Sequence, residues 1–268
     1  MASNPTISRL CIYPIKSLDG LEVSETKLFP VGGGLFGDRL WAIFDSSGKA
    51  VTGKTEPKIY GLRATFESGL RALILKYEGV TKEFSLAEGS LEPLNKYLST
   101  VLGKPVTLRR CNSKGFPDST SSPGPSIAGL ESFRRVGDWF GGLELAEVRR
   151  RFRVSVEISG VEAFWEDRLF GESGSPKSFY AGAVLFHGMG PCMRCPVPVR
   201  NPDTGEIFKG FQRKFIQMRR ATVGGREGVA EDRLADSYYL AVKTKVPNPE
   251  GQVIRMGDQI SFNGPTKS

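Results

Sequence analysis

Pro191-Cys192-Met193-Arg194-Cys195-Pro196-Val197-Pro198-Val199 is the stretch on which the reading of this chain turns. It places two of the four cysteines three residues apart, with an arginine between them. Prolines at every second position remove helix donors and push each preceding residue toward extended backbone. The segment is therefore expected to be extended rather than α-helical. That disfavours a thioredoxin-like redox pair, whose first cysteine needs a helix N-terminus to lower its thiol pKa. It also sets a β context for everything around it.

Three readings of the cysteines remain. A zinc site needs about four ligands, and only His187, Cys11 and Cys111 could join the pair. Alternatively, a single thiolate stands beside a cationic side chain and ligates a bound metal cofactor, a role suited to a soft donor. The third reading is two small apolar side chains buried in a strand. Just beyond, Asn201-Pro202-Asp203-Thr204-Gly205-Glu206 reads as a turn.

Strands dominate on both sides. Leu10 and Ile12 open one that ends at Pro14, followed by a polar loop, Lys16-Ser17-Leu18-Asp19-Gly20. Glycines at 32–34 lead to Gly37-Asp38-Arg39 and a buried strand over 40–44, closed by the turn Asp45-Ser46-Ser47-Gly48. Residues 73–77 and 84–86 flank Glu78-Gly79 as a hairpin. Leu91, Leu94, Leu98 and Leu102 share one helix face, with Ser90 as the expected cap and Gly103 as the stop. A short strand over 106–109 follows. The Ser/Pro/Gly-rich run 112–125 reads as a domain joint or a lid.

In the second half, residues 130–140 read as a helix with Phe133, Val136 and Phe140 on one face. Residues 151–158 alternate: Phe152, Val154, Val156 and Ile158 point one way, and Arg151, Arg153, Ser155 and Glu157 the other, as in a half-buried strand. A short helix over 161–168, a helix over 211–220 and closing strands over 238–244 and 260–262 complete the reading. The fold class expected is mostly β with appended helices (α+β), barrel-like. No internal repeat is present. The glycine runs lack the strand–helix context of a nucleotide-binding loop.

The 268 residues suffice for one large or two ordinary domains. Apolar residues make up 39% and charged residues 25%, as in globular proteins. No run reaches the length of a membrane span. The start, Met1-Ala2-Ser3-Asn4-Pro5, carries no charged-then-apolar leader, so no secretory signal is expected. Four irregularly placed cysteines make no disulfide framework, and a reducing cytoplasmic location is expected. The net charge of +8 raises nucleic acid as a partner, but no zinc-finger spacing or RNA-binding aromatic pattern accompanies it. The densest basic run is Arg149, Arg150, Arg151 and Arg153. It is either a solvated face or a site for a small anion, an acidic protein or nucleic acid. The lone His187 reads as a surface or structurally bonded histidine, with proton donation as the alternative.

Separated pieces of the chain resemble one family. Tyr13-Pro14-Ile15-Lys16-Ser17 and Gly37-Asp38-Arg39-Leu40-Trp41 are similar to the N-terminal β-barrel that precedes MOSC domains. Arg151-Phe152-Arg153-Val154-Ser155 resembles the family's Arg-Phe-Arg-Pro-Asn strand. Pro191 to Cys195 with Asp203-Thr204-Gly205 resembles the MOSC cysteine motif, and Gly257-Asp258-Gln259-Ile260 its closing strand. Order and spacing agree over nearly the whole chain. The match extends to the branch holding the mitochondrial amidoxime-reducing components and their bacterial homologues.

The resemblance implies an N-terminal MOSC-associated β-barrel domain over residues 1–120 and a MOSC domain over 121–268. It implies a molybdenum cofactor (Mo-molybdopterin), with Cys195 as the catalytic residue and metal ligand. Lys16, Ser17, Arg39, Arg153, Ser155, Met193 and Arg194 are the implied cofactor-binding residues. The implied activity is reduction of N-hydroxylated compounds. The chain shows no flavin fingerprint and no iron–sulfur cysteine set, so electrons come from a separate partner. An acidic carrier such as a ferredoxin, flavodoxin or cytochrome b5-like protein suits the charge. A sulfur- or cofactor-carrier domain using Cys195 is the alternative function, and a basic nucleic-acid adaptor a third. Val154-Ser155 replaces the usual Pro-Asn and Met193 a usually small polar residue. Thr52-Gly53-Lys54 lacks the usual arginine, and residues 168–182 form a longer, Gly/Ser-rich loop.

Overall fold

The computed structural model describes residues 4–67, 69–171, 175–223 and 238–266. The N-terminal triplet read for a leader, and residues 172–174, lie outside them; the stretch 168–182 is not one loop, because Lys177–Ala181 pairs as a strand. The first half carries β1 (Thr6–Ile12), β2 (Leu21–Val23), β3 (Glu25–Lys27), β4 (Trp41–Asp45), β5 (Arg63–Phe66), β6 (Ala72–Tyr77), β7 (Val80–Ser85), α1 (Glu92–Leu102) and β8 (Val106–Arg110). The second carries β9 (Ile127–Gly129), α2 (Leu130–Trp139), α3 (Leu145–Phe152), β10 (Val156–Ser159), β11 (Lys177–Ala181), β12 (Val184–Met193), α4 (Phe211–Val223), β13 (Tyr239–Lys245), β14 (Val253–Arg255) and β15 (Ile260–Ser261). The class is α+β and mostly β, as the sequence predicts.

Eight strands form one sheet in the order β15-β11-β12-β13-β9-β10-β1-β2. Smaller sheets pair β14 with β3, β4 with β8, and β5 with β6 and β7. Among the described residues none of these sheets closes on itself, so the barrel-like shape rests on open sheets. β1 and β2 lie in the large sheet beside β10, and β3 pairs with β14 near the other end of the chain. The division at residue 120 is one we propose for the chain's organisation, with the first three strands reaching across it.

Three apolar clusters make the core. One joins Ile7, Leu10 and Ile12 of β1 to Phe179, Phe186, Tyr239 and Val242 across the large sheet. A second lies within the first half, around Trp41, Ile43, Leu73, Leu75, Leu94, Leu98 and Leu108. The third gathers Phe133, Trp139, Phe152, Phe164, Phe211 and Phe215, with Phe140 stacked on Phe211 at 4.1 Å.

Local rules account for most elements. In α1, Leu94, Leu98 and Leu102 bury one face, and Gly103 ends the helix in the left-handed conformation at φ 71°. The expected Ser90 cap does not form: Leu91 holds the N-cap position with no side-chain hydrogen bond. The hairpin turns at Glu78 and Gly79, both at positive φ, as its two-residue loop requires.

Three expectations need correction. Residues 151–158 are not one strand. α3 runs through Phe152, Arg153 caps it in the left-handed conformation at φ 51°, and only Val156–Ser159 is β. Val148 and Phe152, four apart, bury the helix face, and this helical spacing overrides the alternation. The short helix expected over 161–168 is a 3-10 turn over Trp165–Leu169. After Cys195, Val197–Val199 forms one 3-10 turn, because prolines fit the first turn of a helix although they cannot continue it.

Buried charges sit behind this frame. Arg219 (α4) pairs with Asp167, both almost fully enclosed. Glu166 accepts hydrogen bonds from Ser132 Oγ (2.8 Å) and Gly129 N (3.1 Å), and its other oxygen has no partner among the described residues. Burial, reinforced by Asp167, pushes the Glu166 carboxyl up to about 7. A raised carboxyl favours the fold while protonated, so this contribution is complete below the ordinary glutamate value of 4.5 and is lost as pH rises through about 7. Glu166→Gln should remove that loss. Denaturant unfolding at mildly acidic and at alkaline pH should show the variant gaining on the parent as pH rises; a constant gap would contradict this.

Candidate functional site

A cavity of ≈ 590 Å³ lies against the cysteine segment, and all eight residues singled out in the sequence line it. Lys16 and Ser17 come from the loop after β1, and Arg39 from the turn before β4. Arg153 and Ser155 come from the α3–β10 connection, and Met193, Arg194 and Cys195 from the end of β12. Ser17, Arg39 and Arg153 hold positive φ (75°, 49° and 51°), a conformation costly for residues with a Cβ. Such strain collects at functional sites.

The cations are not equivalent. Lys16 Nζ donates to Phe116 O (3.0 Å) and pairs with Asp118 (2.8 Å). Arg39 pairs with Asp38 and with the other oxygen of Asp118 (3.2 Å). Burial works to raise the Asp118 carboxyl, but Arg39, Lys16 and Lys54 override it and hold the group well below the usual carboxylate range. Asp118 thus ties the 112–125 loop onto two of the candidate cations. Ser17 Oγ accepts from Gly53 N (3.3 Å), which positions the 52–54 turn.

Arg153 has no carboxylate partner among the described residues. Its guanidinium lies 4.1 Å over the ring of buried Tyr13, a cation–π contact that leaves its donors for a ligand. Arg194 turns inward instead: Nη1 donates to Phe152 O (2.9 Å), Nη2 bonds Leu240 O, and Nε is buried without a partner. Its donors fix the end of β12 against α3 and β13. Ser155 is buried; its carbonyl accepts from Cys11 N (2.8 Å), joining the site to β1. Met193 is 45% exposed. Cys192 and Cys195 are half-buried free thiols, both on the cavity wall.

The arginine run is not one solvated face. Arg149 clamps buried Glu157 (2.7 Å), and Arg151 is buried against Glu147 and the carbonyls of Pro198 and Arg200. Arg150 binds Asp203 (2.8 Å), which also meets Arg63, so the Asp203 carboxyl is held low by those bonds. The 201–206 turn is thereby anchored to both halves of the chain. Gly205, at φ 74°, packs so closely that a Cβ would stand 3.1 Å from the Tyr60 ring. Tyr60 lines the cavity and donates from its hydroxyl to Gly53 O (3.0 Å).

Sequence reasoning missed Asp118 and Tyr60. Asp118 is the one carboxylate in the 112–125 run, which is the only signal it carried. His187 lies outside the cavity lining, with Nδ1 3.0 Å from Ser178 Oγ between β11 and β12. Among the described residues, no group of three or more His, Cys, Asp or Glu side chains is placed to hold a metal ion. No described helix is long and apolar enough to cross a membrane. The arrangement can bind an anionic, partly apolar molecule and present soft sulfur donors to it.

A family model described as the MOSC N-terminal beta barrel domain matches residues 4–105. The chain is 32% identical to the mitochondrial amidoxime-reducing component 1 of Homo sapiens, over 97% of this chain and 83% of that protein. It is 25% identical to the mitochondrial amidoxime reducing component 2 of Bos taurus, over 93% and 84% respectively. The molybdenum cofactor sulfurase of Oryza sativa subsp. japonica is 25% identical over 76% of this chain, which spans only 29% of that longer protein.

Proposed function

The chain belongs to the family of MOSC proteins that includes the mitochondrial amidoxime-reducing components, and from that premise we propose that it binds a molybdenum cofactor and reduces N-hydroxylated compounds with electrons from a separate acidic redox protein. One observation carries the reading: Cys195 shares a cavity wall with Lys16, Ser17, Arg39 and Arg153. A phosphate-bearing pterin dithiolene needs cationic donors at one end and a soft donor at the metal.

The residues fit such a group. Arg153 has donors free of any described carboxylate, and the cavity is of the size that encloses a small cofactor. Lys16, Ser17, Arg39, Arg153 and Ser155 would hold the pterin and phosphate, the backbone at Met193 and Arg194 would border it, and Cys195 would ligate the metal. When bound, the group supplies two-electron redox chemistry; the protein supplies binding and orientation. Lys16 and Arg39 set the electrostatics of the anionic end. The anchored 201–206 turn keeps the cysteine segment in place.

The test is metal analysis of protein made in a host that synthesises the cofactor, followed by turnover of a simple N-hydroxylated compound with a chemical reductant. Bound molybdenum with N–O reduction is expected. Bound molybdenum without it would favour the second reading, a sulfur- or cofactor-carrier domain, which the presence of both Cys192 and Cys195 on the cavity wall also suits. Arg153→Ala should weaken cofactor retention by roughly tenfold or more, the equivalent of about 1.5–3 kcal/mol for a charge-assisted hydrogen bond. Full occupancy of that variant at limiting cofactor would contradict its role.

A further inference from the structure

The segment that leaves the cavity wall comes to the surface as a basic and apolar patch. Val197, Pro198 and Pro202 line the cavity, and Phe208 N donates to Val199 O at 2.8 Å. Ile207 bridges to Arg200. Ile207 and Phe208 are 59% and 40% exposed, two of the few large apolar side chains that face solvent. Lys209, Arg213 and Lys214 follow and are exposed, while Phe211 and Phe215 bury the opposite face of α4. None of the three cations pairs with a described carboxylate; Lys214 lies 5.5 Å over the Phe140 ring. Exposed Glu206 is the one acid in the run 206–223.

The patch is rigid and close to the thiol. Phe208 packs edge-on against Phe140 (5.7 Å) and Phe211 (5.8 Å). Cys195 and Val199 are four residues apart, at most about 14 Å even when extended. The patch therefore begins one hydrogen bond beyond a residue whose Cα lies within that reach of the Cys195 Cα.

We propose that Ile207, Phe208, Lys209, Arg213 and Lys214 form the surface on which an acidic protein electron carrier docks. This rests on the redox reading above and names the place of its partner. Exposed apolar side chains followed by cations with no described carboxylate partner suit a brief, charge-steered encounter with an acidic protein. The solvent-facing aliphatic and aromatic side chains favour a protein over a nucleic acid.

The test uses the metal-loaded full chain and three probes: an acidic [2Fe–2S] ferredoxin, a flavodoxin and the soluble domain of a cytochrome b5. Calorimetric titration at low salt should show binding to at least one, weakened by added salt. Lys209→Glu/Arg213→Glu/Lys214→Glu should weaken that binding by about tenfold or more. The single reversals, which leave Phe211 and Phe215 in place, should each weaken it less and in the same direction. Ile207→Ser should shorten the life of the complex. Turnover with a small chemical reductant should be unchanged in all of them, and its absence in the parent would count against the redox reading and not against the patch. Binding that none of the reversals weakens, or binding to no probe, would overturn the patch. So would binding of phosphatidylserine vesicles with the same losses and no probe bound, which would make it a membrane-contact face.

Discussion

Cys195→Ser should lose both N–O reduction and the metal's characteristic absorption, while Cys192→Ser should keep most of each. Both cysteines line the cavity, so exposure does not distinguish them. The resemblance to the MOSC cysteine motif does, by making the second cysteine the ligand, and the chain geometry suits that choice. Cys192 lies within β12, where Pro191 and Met193 pair with Val242 and Tyr239 of β13. Cys195 stands beyond the strand, between Arg194, whose guanidinium is fixed to two carbonyls, and the Val197–Val199 turn. Loss of a residue that only orients a metal ligand costs 10–100-fold, so loss of the ligand should exceed about 100-fold. Metal content and activity measured on the two variants side by side decide the matter. The reverse pattern would exchange their roles, and full activity in both would remove cysteine ligation from the reading.

Arg219→Met should be strongly destabilising, at about 3–5 kcal/mol, because it breaks a buried ion pair by removing the guanidinium that faces the Asp167 carboxylate. Arg219 lies 4.1 Å over Phe164 and 4.5 Å over Tyr239, donates to Tyr239 Oη (2.8 Å) and pairs with Asp167. It ties α4 to the 3-10 turn after β10 and to β13. Adding Asp167→Asn should restore part of the loss, since it removes the buried charge that Arg219 offsets. Denaturant unfolding of the single and double variants gives the comparison. A double variant no more stable than the single one would mean that the loss lies in packing.

Much of the fold was legible where a local rule acted alone. The leucine spacing of α1, the Glu78-Gly79 hairpin and the strand after Arg39 depend on neighbours a few residues away. Errors arose where two local signals overlapped. Between 148 and 158, helix periodicity and alternation share Phe152, and a left-handed Arg153 separates them in a way no composition rule requires. The candidate site was legible as a set of residues through motif resemblance, and the cavity contains all of them. Its internal wiring was not. Asp118 meets Lys16 across 102 positions, and the carbonyls that hold Arg194 belong to residues 152 and 240. Such partners are set by the assembled sheet, which engages the Arg194 guanidinium with two backbone carbonyls.

The interleaving of β1 and β2 with the strands of the second half bears on how the polypeptide is made. Arg9 on β1 meets Glu157 on β10, 148 residues later, and β3 waits still longer for β14. During synthesis the first strands leave the ribosome long before the partners that satisfy their backbone groups exist. Among the described residues the cluster around Trp41 and Leu94 draws only on residues 15–108, so it can condense early while the leading segment hangs unpaired. Pairings of such long sequence separation are slow to close. The nascent molecule therefore carries an open strand edge for much of its translation, and a fragment cut at residue 120 would keep that edge for good, prone to self-association.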